Sequence, residues 1–325
     1  FWLKPFGSSL RPPRRALGPR WAAAGMLLGW GAPGIVEADP AAEPDGEATP
    51  EAVAELLSVA YGGREVWIGE PLGATPAEDV QAGKAGTCLT YGEIRQDGLT
   101  KLLGPKGLGI EERGAQCLLE LGSGRGRLAL QAFLQFPALR RVLGVELVRS
   151  RHKAAVAAAQ QLQEASAGRF ELEVGTEDGT AEGAANCVGN GSPAVVTLVE
   201  GSGSEARRCE LRLGDFLDVS DDDLKAADAI LLEVVMPPGP NARAAHARLC
   251  SRLAATCQHG CILAAYEDLH SLWRALPPGA PECPFHKLEL CDGGFATSWS
   301  PVGHHFHGFE CDRERPASLE PGAWL

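Results

Sequence analysis

The sequence has no C-x-x-C pair, although it contains ten cysteines. Structural zinc sites usually take their thiolate ligands at such short spacings, so the pattern gives no sign of a zinc or redox module. Cys257 and Cys261 are four residues apart and can share one face of a helix, but two thiols do not make a zinc site. We therefore predict reduced thiols, as is usual inside cells, with Cys117 and Cys261 buried in strands, and no metal.

The sequence also lacks a basic stripe and a long hydrophobic run. Thirty Lys and Arg stand against 42 Asp and Glu, a net charge of −12, so we expect no strong intrinsic binding to nucleic acid. The apolar stretch from Trp21 to Val36 is broken by glycines and too short for a membrane span. We expect no membrane partner for the core. A targeting segment and a disordered leader both fit residues 1–38.

The chain length suits one large α/β domain with a smaller appendage. We predict a leader and linker over residues 1–50, a short helical extension over 51–86 and a catalytic domain over 87–315. Within that domain, apolar runs and helical patterns alternate as in a doubly wound sheet, and an antiparallel pair of strands ends the pattern. Residues 175–206 are predicted to be mainly a surface insertion, although Ala194–Val199 can alternatively pair with Phe170–Val174 as a hairpin.

A strand, a glycine-rich loop, a helix and a second strand follow one another in the centre of the sequence. One apolar run ends at Glu120, glycines stand at 122, 124 and 126, and a second apolar run ends at Glu146. In such units the loop carries a nucleotide-like ligand, with the helix amides facing it. Glu146 is placed to accept hydrogen bonds from the two hydroxyls of a ribose.

The spacing of these glycines distinguishes between two cofactors. A dinucleotide site needs G-x-G-x-x-G, and Arg127 occupies the place of the third glycine. The G-x-G-x-G form after an acidic residue resembles motif I of class I S-adenosylmethionine methyltransferases. In that family the acidic residue, here Glu120, lies near the amino-acid end of the cofactor. We therefore predict S-adenosyl-L-methionine as cofactor, and not a nicotinamide dinucleotide.

Further motifs narrow the resemblance. Thr90–Ile94 contains Y-G-E ahead of motif I, G-V-E-L-V follows it, and then come Asp215-Phe216-Leu217 and the segment Ala296–His307. In this order the motifs resemble the non-SET histone-lysine methyltransferase family named for disruptor of telomeric silencing. The resemblance covers residues 90 to about 313. It implies a Rossmann-like, seven-stranded class I methyltransferase sheet with a terminal antiparallel hairpin.

The same resemblance implies a role for individual residues. Tyr91, Gly92, Glu93 and Ile94 would close over the methionine part of the cofactor, and Glu146 would bind the ribose. Asp215 would receive the adenine amino group, while Phe216 would pack on the ring. Arg127 stands where the family often has Gln or another polar residue. The amino-acid end would be held by Glu120, Gly122, Ser123, Gly124 and Gly126.

The acceptor side departs from the family. Paired asparagines and an aromatic residue are replaced by Glu233 and apolar residues, and hairpin aromatics are replaced by His304 and His305. We predict Glu233 and His304 as catalytic candidates that orient an amine or accept its proton. A salt-bridged strand-end Glu and exposed hairpin histidines are the alternatives. Met236–Gly239 reads as a proline turn, because the N-P-P-aromatic motif of base methyltransferases is incomplete.

These observations predict a protein-lysine N-methyltransferase with a protein partner, of which histone or nucleosome is the first candidate. Such a substrate would place the protein in the nucleus, but the localisation is otherwise open. A non-histone protein or a small amine is an alternative acceptor. The alternative outside the enzymes is a scaffold domain that binds the cofactor but transfers no methyl group.

Overall fold

The computed structural model describes residues 49–62, 92–175, 194–233, 240–290, 294–298, 300, 302–315, 317 and 319. They all belong to one compact unit, Gly46–Leu325. The predictions for the leader, for Tyr91 and for the Met236–Gly239 turn lie outside the described residues.

A nine-stranded mixed sheet forms the centre of the fold, with strand order β3-β4-β5-β2-β1-β6-β7-β9-β8. The five strands β5-β2-β1-β6-β7 are parallel, and the four outer strands join them antiparallel. The parallel core and the terminal hairpin confirm the predicted fold. The strands are β1 (Cys117–Leu121), β2 (Arg141–Glu146), β3 (Phe170–Gly175), β4 (Val195–Glu200), β5 (Arg207–Leu213), β6 (Ala229–Leu232), β7 (Ile262–Ala265), β8 (Phe285–Leu288) and β9 (His307–Cys311).

The predicted number of seven strands is wrong. Strands β3 and β4 form an antiparallel hairpin, and β4 pairs with β5 from Val195↔Arg212 to Glu200↔Arg207. The alternative interpretation of Ala194–Val199 as a hairpin strand is thus confirmed, and Val195–Glu200 belongs to the sheet instead of a surface insertion. The physical reason is burial, because the middle of β4 is covered while its ends are half-buried.

Helices cover both faces of the sheet. One core layer contains side chains of the first four helices, and the second contains side chains of the last three. Leu118 belongs to the first layer and Leu119 to the second, as the alternation of a strand requires. The helices are α1 (Pro50–Ala60), α2 (Gln96–Leu103), α3 (Arg127–Gln135), α4 (Arg149–Ala165), α5 (Asp221–Ala226), α6 (Pro240–Thr256) and α7 (Leu269–Arg274).

Local signals explain where several helices begin. Thr49 caps α1 by accepting a hydrogen bond from the Ala52 amide, and Pro50 occupies the first helical position. Ser220 caps α5, whose first turn carries three aspartates that favour the positive end of the helix dipole. Among the described residues, no helix is long and apolar enough to cross a membrane.

The cysteines that the structure describes are free thiols, in agreement with the prediction. Cys250, Cys257, Cys261, Cys283 and Cys311 are all buried in the second core layer. Burial raises the pKa of the Cys283 thiol to about 11, so this thiol is protonated and unreactive at neutral pH. Cys117 is half-buried and not fully buried as predicted, because it is the first residue of β1.

Candidate functional site

The glycine-rich loop lies between β1 and α3, at the carboxyl end of the parallel strands. The amides of Gly122 and Ser123 both donate to the carbonyl of Val145 at 2.9 Å, which ties the loop to β2. Gly126 is the N-cap residue of α3 and has φ +74°, a backbone conformation that residues with a side chain rarely adopt. A Cβ on Gly126 would lie 2.9 Å from the Cβ of Ala155 in α4. The loop therefore needs glycine here for both reasons.

Gly144 in β2 is a second position at which the loop packs closely on the sheet. The sequence analysis did not assign Gly144 to the site. A Cβ at this position would lie 2.9 Å from the Cβ of Ser123 in the loop. Any larger residue would push the loop away from β2. A glycine inside an otherwise apolar strand is the sequence signal for such an approach.

Glu146 ends β2 and is 4% exposed. One carboxylate oxygen accepts from the Gly124 amide at 2.7 Å, and the other accepts from the Val148 amide at 2.7 Å. The side chain thus links the glycine loop to the residue that begins α4. A carboxylate oxygen accepts more than one hydrogen bond, so these contacts leave acceptor capacity for hydroxyl groups. The predicted ribose role of Glu146 stays a prediction.

Glu120 is buried in β1, immediately before the loop. It is 1% exposed, and neither carboxylate oxygen has a hydrogen-bond partner in the described part of the chain. Burial raises the pKa of Glu120 to about 8, and the charges of Glu146 and Glu93 act in the same direction. The backbone amide of Ala129, in the first turn of α3, acts in the opposite direction.

Residues of the terminal hairpin hold the segment Gly92–Arg95 next to this site. Ile94 pairs with Thr297 as an antiparallel bridge. The Glu93 amide donates to the Ser298 hydroxyl at 3.0 Å, and the Ser298 amide donates to the Glu93 carbonyl at 2.8 Å. These contacts hold the backbone of Glu93. Ser298 is a further residue of the site region that the sequence analysis did not assign, because the pairing is between segments about 200 residues apart.

The side chain of Glu93 meets Arg127 at the start of α3. The distance from a guanidinium nitrogen of Arg127 to a carboxylate oxygen of Glu93 is 3.8 Å, and both side chains are largely buried. Arg127 therefore reaches the segment that was predicted to close over the cofactor. Its position fits a role in ordering that segment, whereas direct cofactor contact by Arg127 stays a prediction.

Glu233 follows β6 and comes close to the same carboxylates. Its amide donates to the Leu121 carbonyl at 3.2 Å, which continues the β1–β6 ladder by one residue. Oε1 is buried without a hydrogen-bond partner among the described residues. Burial raises the pKa of Glu233 well above its ordinary value, and the charges of Glu120 and Glu93 add to the effect. The fold thus brings together Glu93, Glu120 and Glu233 from three separate parts of the sequence.

Asp215 and Phe216 lie after β5, on the other side of Glu146. The Gly214 amide donates to the Glu146 carbonyl at 2.9 Å, which places Asp215 one residue from that contact. One carboxylate oxygen of Asp215 accepts from the Leu217 amide at 2.9 Å and caps a short 3-10 turn. Phe216 is buried in the second core layer with Leu143 and Val145. Asp215 thus has a structural role as the cap of this turn, and Phe216 has one in the core. Their contacts with adenine stay a prediction.

His304 lies on the terminal hairpin, where its backbone pairs with Phe295. Its ring stacks on Tyr266, which follows β7, with ring centroids 4.5 Å apart and an angle of 9° between the planes. Burial lowers the pKa of His304, and the neighbouring His305 and His307 lower it further. His304 is therefore a neutral, packed ring at neutral pH, and its predicted catalytic role stays a prediction.

Comparisons with known proteins identify no family for this chain. No family model matches it, and no curated protein matches it. Among the described residues, no group of three or more His, Cys, Asp or Glu side chains is arranged to hold a metal ion.

Solved structures of methyltransferases resemble the chain distantly. The O-methyltransferase from Bacillus cereus in complex with SAH is 12% identical, with 80% of this chain and 90% of that chain covered and a TM-score of 0.37. The tRNA methyltransferase TrmK of B. subtilis is 14% identical, with 70% and 69% covered and a TM-score of 0.33. Trm1 from Pyrococcus horikoshii with S-adenosyl-L-methionine is 10% identical, with 52% and 34% covered and a TM-score of 0.32.

The chain thus spans about a third of the length of Trm1. The strand order of the sheet, and not these distant likenesses, identifies the fold.

Proposed function

We propose that the protein is an S-adenosylmethionine-dependent methyltransferase acting on an amine. The observation that carries the proposal is the carboxylate of Glu120, which is fully buried beside the glycine loop without a hydrogen-bond partner in the described residues. A buried carboxylate without partners is costly. A ligand that brings positive charge to this position would offset the cost.

The charge of the site distinguishes between the two cofactors considered above. S-adenosylmethionine carries an ammonium and a sulfonium group, and positive charge near Glu120 favours the ionised form that burial disfavours. A nicotinamide dinucleotide instead brings a negatively charged pyrophosphate to the glycine loop. That negative charge would lie beside the Glu146 carboxylate at the Gly124 amide and would not offset the burial of Glu120. The electrostatics of the described site therefore support the cofactor predicted from the glycine spacing.

The backbone around the loop also fits this cofactor. Gly126 and Gly144 keep the loop close to β2 and α4, where a Cβ would not fit. Glu146 remains at the loop as an acceptor for ribose hydroxyls. When bound, S-adenosylmethionine supplies a methyl group from its sulfonium. The residues of the chain bind and orient the reactants and exclude water.

The acceptor that we propose is the side-chain amine of a protein lysine, with histone or nucleosome as the first candidate substrate. An ammonium must lose its proton before it can attack a methyl group. As the ammonium enters, Glu233 can release its own proton to solvent and pair with the ammonium as a carboxylate. It can then accept the ammonium proton, directly or through water, which leaves the neutral amine to attack the methyl group. The position of Glu233 next to Glu120 and Glu93 supports this role.

Calorimetry tests the cofactor. We expect S-adenosylmethionine and its demethylated product to bind to the purified protein, and NAD not to bind. Tight binding of NAD with no binding of S-adenosylmethionine would overturn the proposal.

Turnover tests the acceptor. Purified protein is incubated with labelled S-adenosylmethionine and nucleosomes, free histones, other proteins, small amines or tRNA, and label in lysine is expected from a protein substrate. Label in a small amine or in tRNA would reject the lysine assignment and retain the methyltransferase. Cofactor binding without any turnover favours a scaffold instead.

Glu233→Ala is the matched variant in these assays. If Glu233 acts on the acceptor, the variant should bind the cofactor nearly as tightly as the wild type but transfer methyl groups more slowly. If Glu233 only ends a strand, the variant should lose thermal stability and keep its turnover per folded molecule. The second pattern would remove Glu233 from the mechanism and leave His304 as the remaining candidate.

A further inference from the structure

Tyr61 connects helix α1 to the glycine-rich loop. The residue follows the last residue of α1, and its side chain is buried. The hydroxyl donates a hydrogen bond of 2.9 Å to the backbone carbonyl of Arg125. Arg125 stands between Gly124 and Gly126 in the loop. A residue of the N-terminal extension thus holds the backbone of the predicted cofactor loop directly.

The ring of Tyr61 makes a second set of contacts with the same loop. The guanidinium carbon of Arg125 lies 5.5 Å from the ring centroid, and that of Arg127 lies 5.8 Å from it. Both distances fall within the range of cation–π attraction. Arg127 in turn contacts Glu93 in the segment that pairs with the terminal hairpin. Tyr61 therefore lies at one end of a chain of contacts across the site.

The loop depends on such contacts because of its own conformation. Gly124 has φ +55° and Gly126 has φ +74°, and glycine loses more conformational freedom on ordering than any other residue. Contacts from outside the loop lower the entropy that a ligand would otherwise have to remove. Burial raises the pKa of Tyr61 well above its ordinary value, so its hydroxyl keeps the proton that it donates.

We propose that Tyr61 is a positioning residue for the cofactor loop, and that α1 is consequently part of the cofactor site. The inference rests on the proposed function for the identity of the ligand. The mechanical part, that Tyr61 orders residues 122–127, applies to the free protein as well. The two parts are therefore tested by separate measurements.

Three variants separate the contacts. Tyr61→Phe removes the hydrogen bond and keeps the ring, Tyr61→Leu removes both, and Val59→Ala is the control because Val59 is on the same helix and 46% exposed. We expect the Kd for S-adenosylmethionine to rise about fivefold in Tyr61→Phe, the loss of one hydrogen bond. Tyr61→Leu should raise it about tenfold or more, since the cation–π contacts are lost too. Val59→Ala should match the wild type.

Kinetics and hydrogen exchange distinguish positioning from general stability. The KM for the cofactor should rise in both Tyr61 variants while kcat at saturating cofactor changes little. In the free protein, amide exchange over residues 122–127 should be faster in Tyr61→Leu than in Val59→Ala. If Tyr61→Leu fails to fold, Tyr61→Phe carries both measurements.

A lower melting temperature with unchanged Kd and unchanged exchange of the loop would overturn the inference. If the wild type itself does not bind S-adenosylmethionine, the proposed function fails. The exchange experiment then still decides whether Tyr61 orders the loop.

Discussion

Replacing Glu120 by Gln removes a buried charge from the site with little change of shape. In the unfolded chain the pKa of Glu120 is near the ordinary value of 4.5, and burial in the folded protein raises it to about 8. Between these values the folded state binds a proton that the unfolded state has released. Stability therefore falls as the pH rises through this window.

The size of the effect follows from the two values. At about 1.4 kcal/mol per pKa unit, a shift in this direction costs the free protein a few kcal/mol at neutral pH and above. Glu120→Gln has no proton to lose. The variant should therefore be more stable than the wild type at pH 8, by an amount of this order, and equally stable near pH 4.5.

Cofactor binding should respond to pH in the opposite sense. A cationic ligand favours the ionised form of Glu120, so wild-type binding must release the proton that the free site holds below pH 8. The affinity of the wild type should then increase from pH 6 to pH 8. Glu120→Gln should bind more weakly at pH 8 and lose much of this increase.

Urea denaturation and calorimetry from pH 5 to pH 9 measure both effects. Glu171→Gln is the control, because Glu171 is exposed on β3 and should leave both pH profiles unchanged. If Glu120→Gln and wild type lost stability in parallel between pH 5 and pH 8, Glu120 would not be the buried group that titrates. The charge argument for the cofactor would then fail with it.

Three further variants test neighbouring contacts. Glu146→Ala should weaken S-adenosylmethionine binding by about 1–3 kcal/mol in calorimetry, and unchanged affinity would mean that the ribose site is elsewhere. Gly126→Ala should cost about 1–3 kcal/mol of stability from backbone strain and crowding, whereas Gly168→Ala, with a similar φ of +88° but open space, should cost less. Arg207→Met removes the donors to the carbonyls of Phe133, Phe136 and Leu139, so urea denaturation should show a loss of stability of about 1–3 kcal/mol. The control is Arg208→Met, because Arg208 is exposed. Equal losses in both variants would mean that these hydrogen bonds of Arg207 do not stabilise the fold.

The net negative charge of the chain affects its binding to a nucleosome substrate. We expect weak binding to nucleosomes by this protein alone, because the affinity for DNA rises with the number of neutralised phosphates. Tight, salt-sensitive binding in a gel shift would contradict this expectation.

The parts of the site that were predictable from sequence lie on contiguous segments. Glu120, the three loop glycines and Glu146 belong to one strand–loop–helix–strand unit, whose geometry follows from local pattern alone. The structure places them together as that pattern predicts. The raised pKa of Glu120 was not predictable, because it depends on burial by elements from the whole chain and on two other carboxylates.

The parts that sequence analysis missed depend on contacts between distant segments. The pairing of β4 with β5 is the exception, since only residues 201–206 separate the two strands, but no periodicity specifies that they pair. Ser298 reaches Glu93, and Tyr61 reaches Arg125, only after the sheet has formed. His304 could be recognised as a candidate by residue type, but its stacking on Tyr266 could not.

The β3–β4 hairpin also changes which strand ends the sheet. Without it, β5 would present unpaired backbone groups to other molecules, and β5 is the strand that leads to Asp215 and Phe216. The hairpin covers that edge and leaves β3 outermost, where Glu171 and Glu173 are exposed on alternate positions. Charges on an edge strand disfavour pairing with a second chain. The two additional strands thus protect the strand that leads to Asp215 and Phe216 from edge-to-edge pairing with a second chain.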